Sequence, residues 1–218
     1  MKELLYKFIY KWEGAYVYVN LHLLISRFVI LCILGAIGPD IQVGIITALN
    51  GDSFVFKLAS AISLFLGFGV NLILTKVETL RTVRRYYRIL SVVSCVLFVI
   101  VNLAGIYDIS ARFIGLAVSE AIFSNMLACC ISDTMNNMFS GSERTVYSMK
   151  KDNLRYVGAF LGMVLSFFIH FDLSTLLYIQ CVMYIIMTLE DLFVFSKLKD
   201  YVFSEEEDKE VELKQVAQ

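Results

Sequence analysis

Six apolar stretches partition the chain, at 20–49, 54–75, 86–104, 109–135, 154–169 and 174–195. Each approaches the length of about 20 residues that a bilayer requires of a helix. None shows the strict alternation of a half-buried strand or the narrow stripe of a soluble amphipathic helix. In lipid a segment must satisfy its own backbone N–H and C=O groups, so the pattern predicts helices. The expected fold class is an all-α integral membrane protein with six transmembrane helices. The first stretch is expected to be interrupted at Gly38-Pro39.

The polar residues between these stretches set the expected orientation. Lys76, Arg81, Arg84, Arg85 and Arg88 follow the second stretch, and Arg144, Lys150, Lys151 and Arg155 follow the fourth. Lys2, Lys7 and Lys11 precede the first, and Lys197 and Lys199 follow the last. The alternate loops, LNGDS, IYD and HFD, carry neither Lys nor Arg. Basic loops stay on the cytoplasmic side. Both termini are therefore expected there, in a multi-pass protein of the cell membrane. Residues 1–19 read as a cytoplasmic, amphipathic lead-in without a cleavable-signal pattern. Residues 197–218, with the run SEEEDKEVE, read as a charged and disordered tail.

Composition agrees with this layout. The 218 residues are 58% hydrophobic and 18% charged, against about 45–50% and 25% in soluble domains. Mean hydropathy is +0.71. Cys32, Cys95, Cys129, Cys130 and Cys181 all fall inside apolar stretches and read as small hydrophobes. No metal-ligand spacing appears among them, and neither a metal nor another cofactor is expected. HExxH, a phosphate-cradling glycine loop and Ser-His-Asp spacing are all missing from the chain, so an enzyme is not expected. Nucleic-acid binding is not expected either, because topology accounts for the basic residues.

The most informative stretch is 111–137. Glu120 lies near its middle, with Ser124 one turn on. A carboxylate at membrane depth is costly and persists where it is paired or faces a wet cavity. At 1.5 Å per residue Glu120 lies roughly 16 Å below the outer end of its helix, and Asp40 roughly 12 Å. Glu120 and Asp40 are thus candidates for proton or substrate coupling, joined by Ser124 and by Arg27 inside the first stretch. Glu190-Asp191 read as interfacial or paired with loop arginines, Asp133 as a helix-end cap, and His22 and His170 as interface residues. Two stretches carry small-residue stripes: Ser60, Ser63, Gly67, Asn71 and Thr75 in the second, and Gly158, Gly162, Ser166 and His170 in the fifth. Such stripes let membrane helices approach closely.

The stretches 46–76 and 132–165, ITALNGDSFVFKLASAISLFLGFGVNLILTK and SDTMNNMFSGSERTVYSMKKDNLRYVGAFLGMVL, carry a resemblance. They resemble the first-to-second and fourth-to-fifth helix regions of one six-helix, N-terminal-type half of a major facilitator superfamily transporter, in its drug-efflux branch. Glu143-Arg144 and the glycines Gly158 and Gly162 match the second region. Arg84-Arg85 match the basic pair of the family's cytoplasmic gating loop. Leu80 stands where that loop has Asp, Glu78 lies two residues early, and the loop glycine is absent. The resemblance implies that helices one and four line a central cavity. It also implies that helices two and five face a second half. For a six-span chain that second half would be another copy, giving a homodimer with Ser60, Ser63, Gly67, Asn71, Gly158, Gly162 and Ser166 in its interface. The expected partners are the lipid bilayer, a second copy, and a small-molecule substrate or proton. The expected function is transport of a small amphipathic compound by a dimeric half-size carrier. The alternative is a non-transporting membrane interaction protein that kept the fold.

Overall fold

The computed structural model describes residues 17–49, 53–139 and 141–216. Among them the chain is all helical. Helix α1 spans Val17–Ala48, with a π-helical stretch at Leu23–Val29. Helix α2 is Ser53–Leu74, α3 Val77–Arg85 and α4 Tyr87–Ala104. Helix α5 covers 109–138 and holds a second π-helical stretch, Glu120–Ser124. Helix α6 is Gly141–Ser166 and α7 is Leu173–Val216.

Five helices contain segments long and apolar enough to cross a membrane: Val17–Ala48, Phe54–Leu74, Tyr87–Ala104, Ile109–Met135 and Leu173–Leu198. Helix α6 differs, with charged residues through its first half and an apolar run from 154 onward. The distribution of side chains is that of a membrane protein. Phe65, Phe68 and Phe160 are 76%, 64% and 65% exposed, whereas Arg112, Glu190 and His22 are 3%, 8% and 1% exposed. Water would penalise that arrangement, and lipid favours it.

Helix α1 is not interrupted at Gly38-Pro39, contrary to expectation; Ile30–Ala48 is one helix with Pro39 inside. Membrane helices tolerate proline because neighbouring groups re-satisfy the freed carbonyl. The basic segment after α2 folds as the short helix α3, with Arg84 and Arg85 in its last turn, where the helix dipole favours cations. Residues 1–16 of the lead-in lie outside the described residues. Helix α7 carries helical backbone through the charged segment as far as Val216. Extending an existing helix needs no new nucleus.

The helices pack in the spatial order α6, α1, α7, α4, α5, α2, with α7 also touching α5, and α3 lying across α2, α4 and α5. Helices α6 and α2 are thus the two edges. One apolar cluster joins Val19, Leu23, Met135, Phe139, Tyr147 and Leu198 from four helices. A second holds Leu74, Val83, Tyr87, Cys130 and Phe195 beside it. A third, of Ile37, Ile41, Ile45, Leu49 and Leu176, closes the opposite end. Stacked rings clamp α4 to α7, with Phe98 on Tyr184 at 3.8 Å and Tyr87 on Phe195 at 4.0 Å.

Helix α6 meets α1 backbone to backbone. A Cβ at Gly162 would stand 2.1 Å from the Cys32 carbonyl oxygen and 2.8 Å from the Ala36 nitrogen. One at Gly158 would stand 2.7 Å from the Phe28 carbonyl oxygen. These glycines therefore serve packing inside the chain, which corrects their expected place in a dimer interface. Gly67 is likewise committed, since a Cβ there would meet the Asn125 side chain of α5 at 3.3 Å.

Two glycine substitutions test this packing. Gly162→Ala forces two backbones apart and costs about 1–3 kcal/mol or more, as overpacking does. Gly69→Ala, where nothing lies within 4 Å of the new Cβ, is neutral or stabilising by up to about 1 kcal/mol. Thermal unfolding in detergent measures both. At the start of α7, Asp172 accepts hydrogen bonds from the Thr175 hydroxyl at 2.6 Å and the Thr175 N–H at 3.0 Å. These bonds hold its carboxyl below the usual carboxylate range. A depressed folded-state pKa adds stability above the unfolded pKa and loses it as pH falls through the folded value. Asp172→Ala should therefore lower the melting temperature at pH 7, and the gap to wild type should close in acid.

Candidate functional site

A cleft of about 470 Å³ opens between α1, α2, α5 and α7. Leu34, Ile37, Ile41 and Ile45 of α1 and Phe113 and Leu116 of α5 supply its apolar wall. Its polar groups are Gln42, Ser60, Ser63, Arg112, Glu120 and Gln180. A mostly apolar cavity with a few convergent polar groups is the usual form of a small-molecule site.

Arg112 anchors the polar side. It lies in the first turn of α5, which Asp108 caps by accepting from the Ser110 and Ala111 N–H groups at 2.9 and 3.2 Å. Its Nε donates to Asn102 Oδ1 of α4 at 2.9 Å, and an Nη donates to Gln180 Oε1 of α7 at 2.8 Å. Asn102 Nδ2 in turn donates to the Phe98 carbonyl at 2.9 Å. Gly105 lets the arginine lie against the end of α4, because a Cβ there would stand 2.3 Å from Arg112 Cδ. A guanidinium this buried is tolerable only when its donors are used and an opposite charge is near. Glu120 supplies that charge, lying close enough to Arg112 for the two to interact electrostatically.

Glu120 begins the π-helical stretch of α5 and is exposed toward the cleft. One-turn π-bulges recur at functional sites, where they re-aim a side chain. Ser60 and Ser63 also line the cleft, which assigns them to its wall and not to the dimer stripe in which they were expected. Asp40 does not line the cleft; it faces His170 Nδ1 at 3.7 Å. The expectation that Asp40 and Glu120 share one aqueous pocket is thereby corrected. Asp40 is one position off the inward stripe of Ile37, Ile41 and Ile45, and so points aside. Ser124 is exposed one turn beyond Glu120, outside the cleft lining. On the edge helices Asn71 is exposed and Ser166 half-buried.

The remaining candidates gather at the other end. Arg84 donates to Asp133 of α5, so Asp133 holds the basic helix α3 instead of capping its own helix. Arg85 is exposed, and Arg88 donates to Ser196 Oγ at 2.7 Å. Glu143 borders a smaller cleft of about 230 Å³ with Val19, Tyr147 and Lys150; Arg144 is exposed in the same turn. Arg27 is half-buried, far along α1 from the cleft residues, and its Nε is buried without a hydrogen-bond partner.

Glu190 overturns its expected interfacial setting. It is buried, accepts from the Ser26 hydroxyl, and lies 3.1 Å from His22 Nδ1. Sequence reading also missed Arg112, Asn102 and Gln180. Arg112 stands in the first turn of its stretch, beside the loop IYD that carries neither Lys nor Arg, so a basic residue there departs from the charge pattern behind the expected orientation. That exception was its only signal.

Arg112→Met would leave Asn102 Oδ1 buried without its donor and take the donor from the half-buried Gln180 Oε1. The expected loss is about 1–3 kcal/mol for the orphaned Asn102 acceptor, read as a fall in melting temperature of the purified protein. No family model, curated protein or solved structure matches this chain, and the reading of the cleft rests on its own geometry.

Proposed function

We propose that the chain is a half-size carrier of the cell membrane that binds a small amphipathic compound in the α1–α2–α5–α7 cleft and exchanges protons at Glu120. The observation that carries this reading is a carboxylate at mid-helix facing a cleft of about 470 Å³ whose walls are otherwise mainly apolar. An apolar wall suits the body of such a compound, and one acidic group suits its polar end or a proton. In this reading the apolar part of α6 is the sixth span, and both termini lie in the cytoplasm with the basic helix α3.

The resemblance to one half of a major facilitator transporter supports the same reading. It expects cavity residues on the first and fourth helices, and here α1 and α5 supply most of the cleft wall. It expects two edge helices to meet a second half, and α2 and α6 are the edges. The dimer surface proposed now differs from the small-residue stripes, since Gly67, Gly158 and Gly162 are engaged within the chain. It consists of the outward faces: Phe65 and Phe68 of α2, and Tyr156, Phe160 and Met163 of α6, all exposed.

Ethidium movement in proteoliposomes with an imposed pH gradient tests the carrier. Wild type should move the dye in response to the gradient, and Glu120→Gln should abolish that response while leaving the protein folded. Native mass spectrometry should give two protomers. A monomer that neither binds nor moves ethidium would overturn the proposal in favour of a non-transporting interaction protein.

A further inference from the structure

A second polar centre lies away from the cleft, between α1 and α7 near the basic end of the bundle. Three side chains from these helices converge: His22, Glu190 and Asp191. One donor atom from each lies within 4.8 Å of the other two. His22 Nδ1 stands 3.1 and 3.3 Å from the two Glu190 carboxylate oxygens, and 3.6 Å from Asp191 Oδ1. His22 is 1% exposed and Glu190 8%. The Asp191 side chain, at 20%, is the accessible member of the set.

Two carboxylates side by side at a buried position between membrane helices carry a heavy electrostatic cost unless positive charge meets them. Arg27 of α1 lies close enough to Asp191 to interact with it. With His22 neutral, the form that ligates a metal, a single guanidinium does not balance two carboxylates, and it engages neither in an ion pair among the described residues. His22 leaves Nε2 buried without a partner and commits Nδ1 to the carboxylates.

We propose that His22, Glu190 and Asp191 form a binding site for a divalent first-row transition-metal ion. Metal–ligand bonds of about 2.1 Å place adjacent donor atoms about 3.0–3.4 Å apart; the Nδ1–Glu190 distances of 3.1 and 3.3 Å fall within that range, and Asp191 Oδ1 at 3.6 Å lies just beyond it. One imidazole nitrogen with two carboxylates is a borderline donor set, suited to Mn²⁺, Fe²⁺ or Zn²⁺. Ser26, whose hydroxyl donates to Glu190 Oε2, orients that carboxylate and leaves Oε1 directed at His22. Such supporting hydrogen bonds tune metal affinity. The bound ion would tie the first turns of α1 to the last membrane turns of α7.

Mn²⁺ titration of the purified full-length protein in detergent, followed by electron paramagnetic resonance, tests this. Manganese avoids the thiols of the five cysteines, which zinc would also find. Wild type should bind one ion per chain, and Mn²⁺ should raise its melting temperature. His22→Gln and Asp191→Asn should abolish saturable binding, and Ser26→Ala should weaken it by about 10- to 100-fold. If the His22 variant fails to fold, Asp191→Asn, at the most exposed ligand, and Co²⁺ absorption of wild type decide the matter. Co²⁺ on nitrogen and oxygen donors should give visible bands that Asp191→Asn removes. No saturable Mn²⁺ binding by wild type, or binding unchanged in Asp191→Asn, would overturn the site; it would then hold only protons.

Discussion

A buried guanidinium sets the terms for this bundle. Arg112 is 3% exposed, so its donors need partners from neighbouring helices, and Asn102 and Gln180 supply two. That requirement draws α4, α5 and α7 together along one side of the cleft. It needs Gly105, because any side chain there would occupy the space the arginine crosses. It also favours a carboxylate within electrostatic range, which Glu120 supplies from deeper in the same helix. A low-dielectric surrounding strengthens every such interaction and penalises every unmet one. The polar side of the cleft is thus a connected unit and not a set of separate residues.

Backbone contact plays the matching part on the other side. Helix α6 is held where Gly158 and Gly162 let its backbone meet that of α1 at Phe28, Cys32 and Gly35. That contact fixes α1, and through α1 the apolar wall of Ile37, Ile41 and Ile45. The two polar centres both lie beside π-helical stretches, Leu23–Val29 with Ser26 and Glu120–Ser124 with Glu120. Such π-helical turns are frequent at functional sites.

The sequence alone determined the solvent and the element type. Long apolar runs with few charges have one stable solution in lipid, which is the helix, and the five helices at Val17–Ala48, Phe54–Leu74, Tyr87–Ala104, Ile109–Met135 and Leu173–Leu198 lie close to the expected boundaries. Glu120 was legible as a cavity residue for the same reason, since an isolated acid in an apolar run needs somewhere wet to face. The small-residue stripes were legible as packing faces, because only a close backbone approach gives them a use.

Tertiary structure alone decided what those faces and charges meet. Nothing in a stripe of glycines says whether the partner is in the same chain, and α1 turned out to be that partner for Gly158 and Gly162. His22 and Glu190 are 168 positions apart, so no local spacing announces their contact. Asp40 and Glu120 lie at similar depth, yet a single position around the helix sends Asp40 toward His170. Depth along a helix comes from counting residues at a fixed rise. Direction around it and the choice of neighbour depend on how the helices pack, which distant side chains settle together.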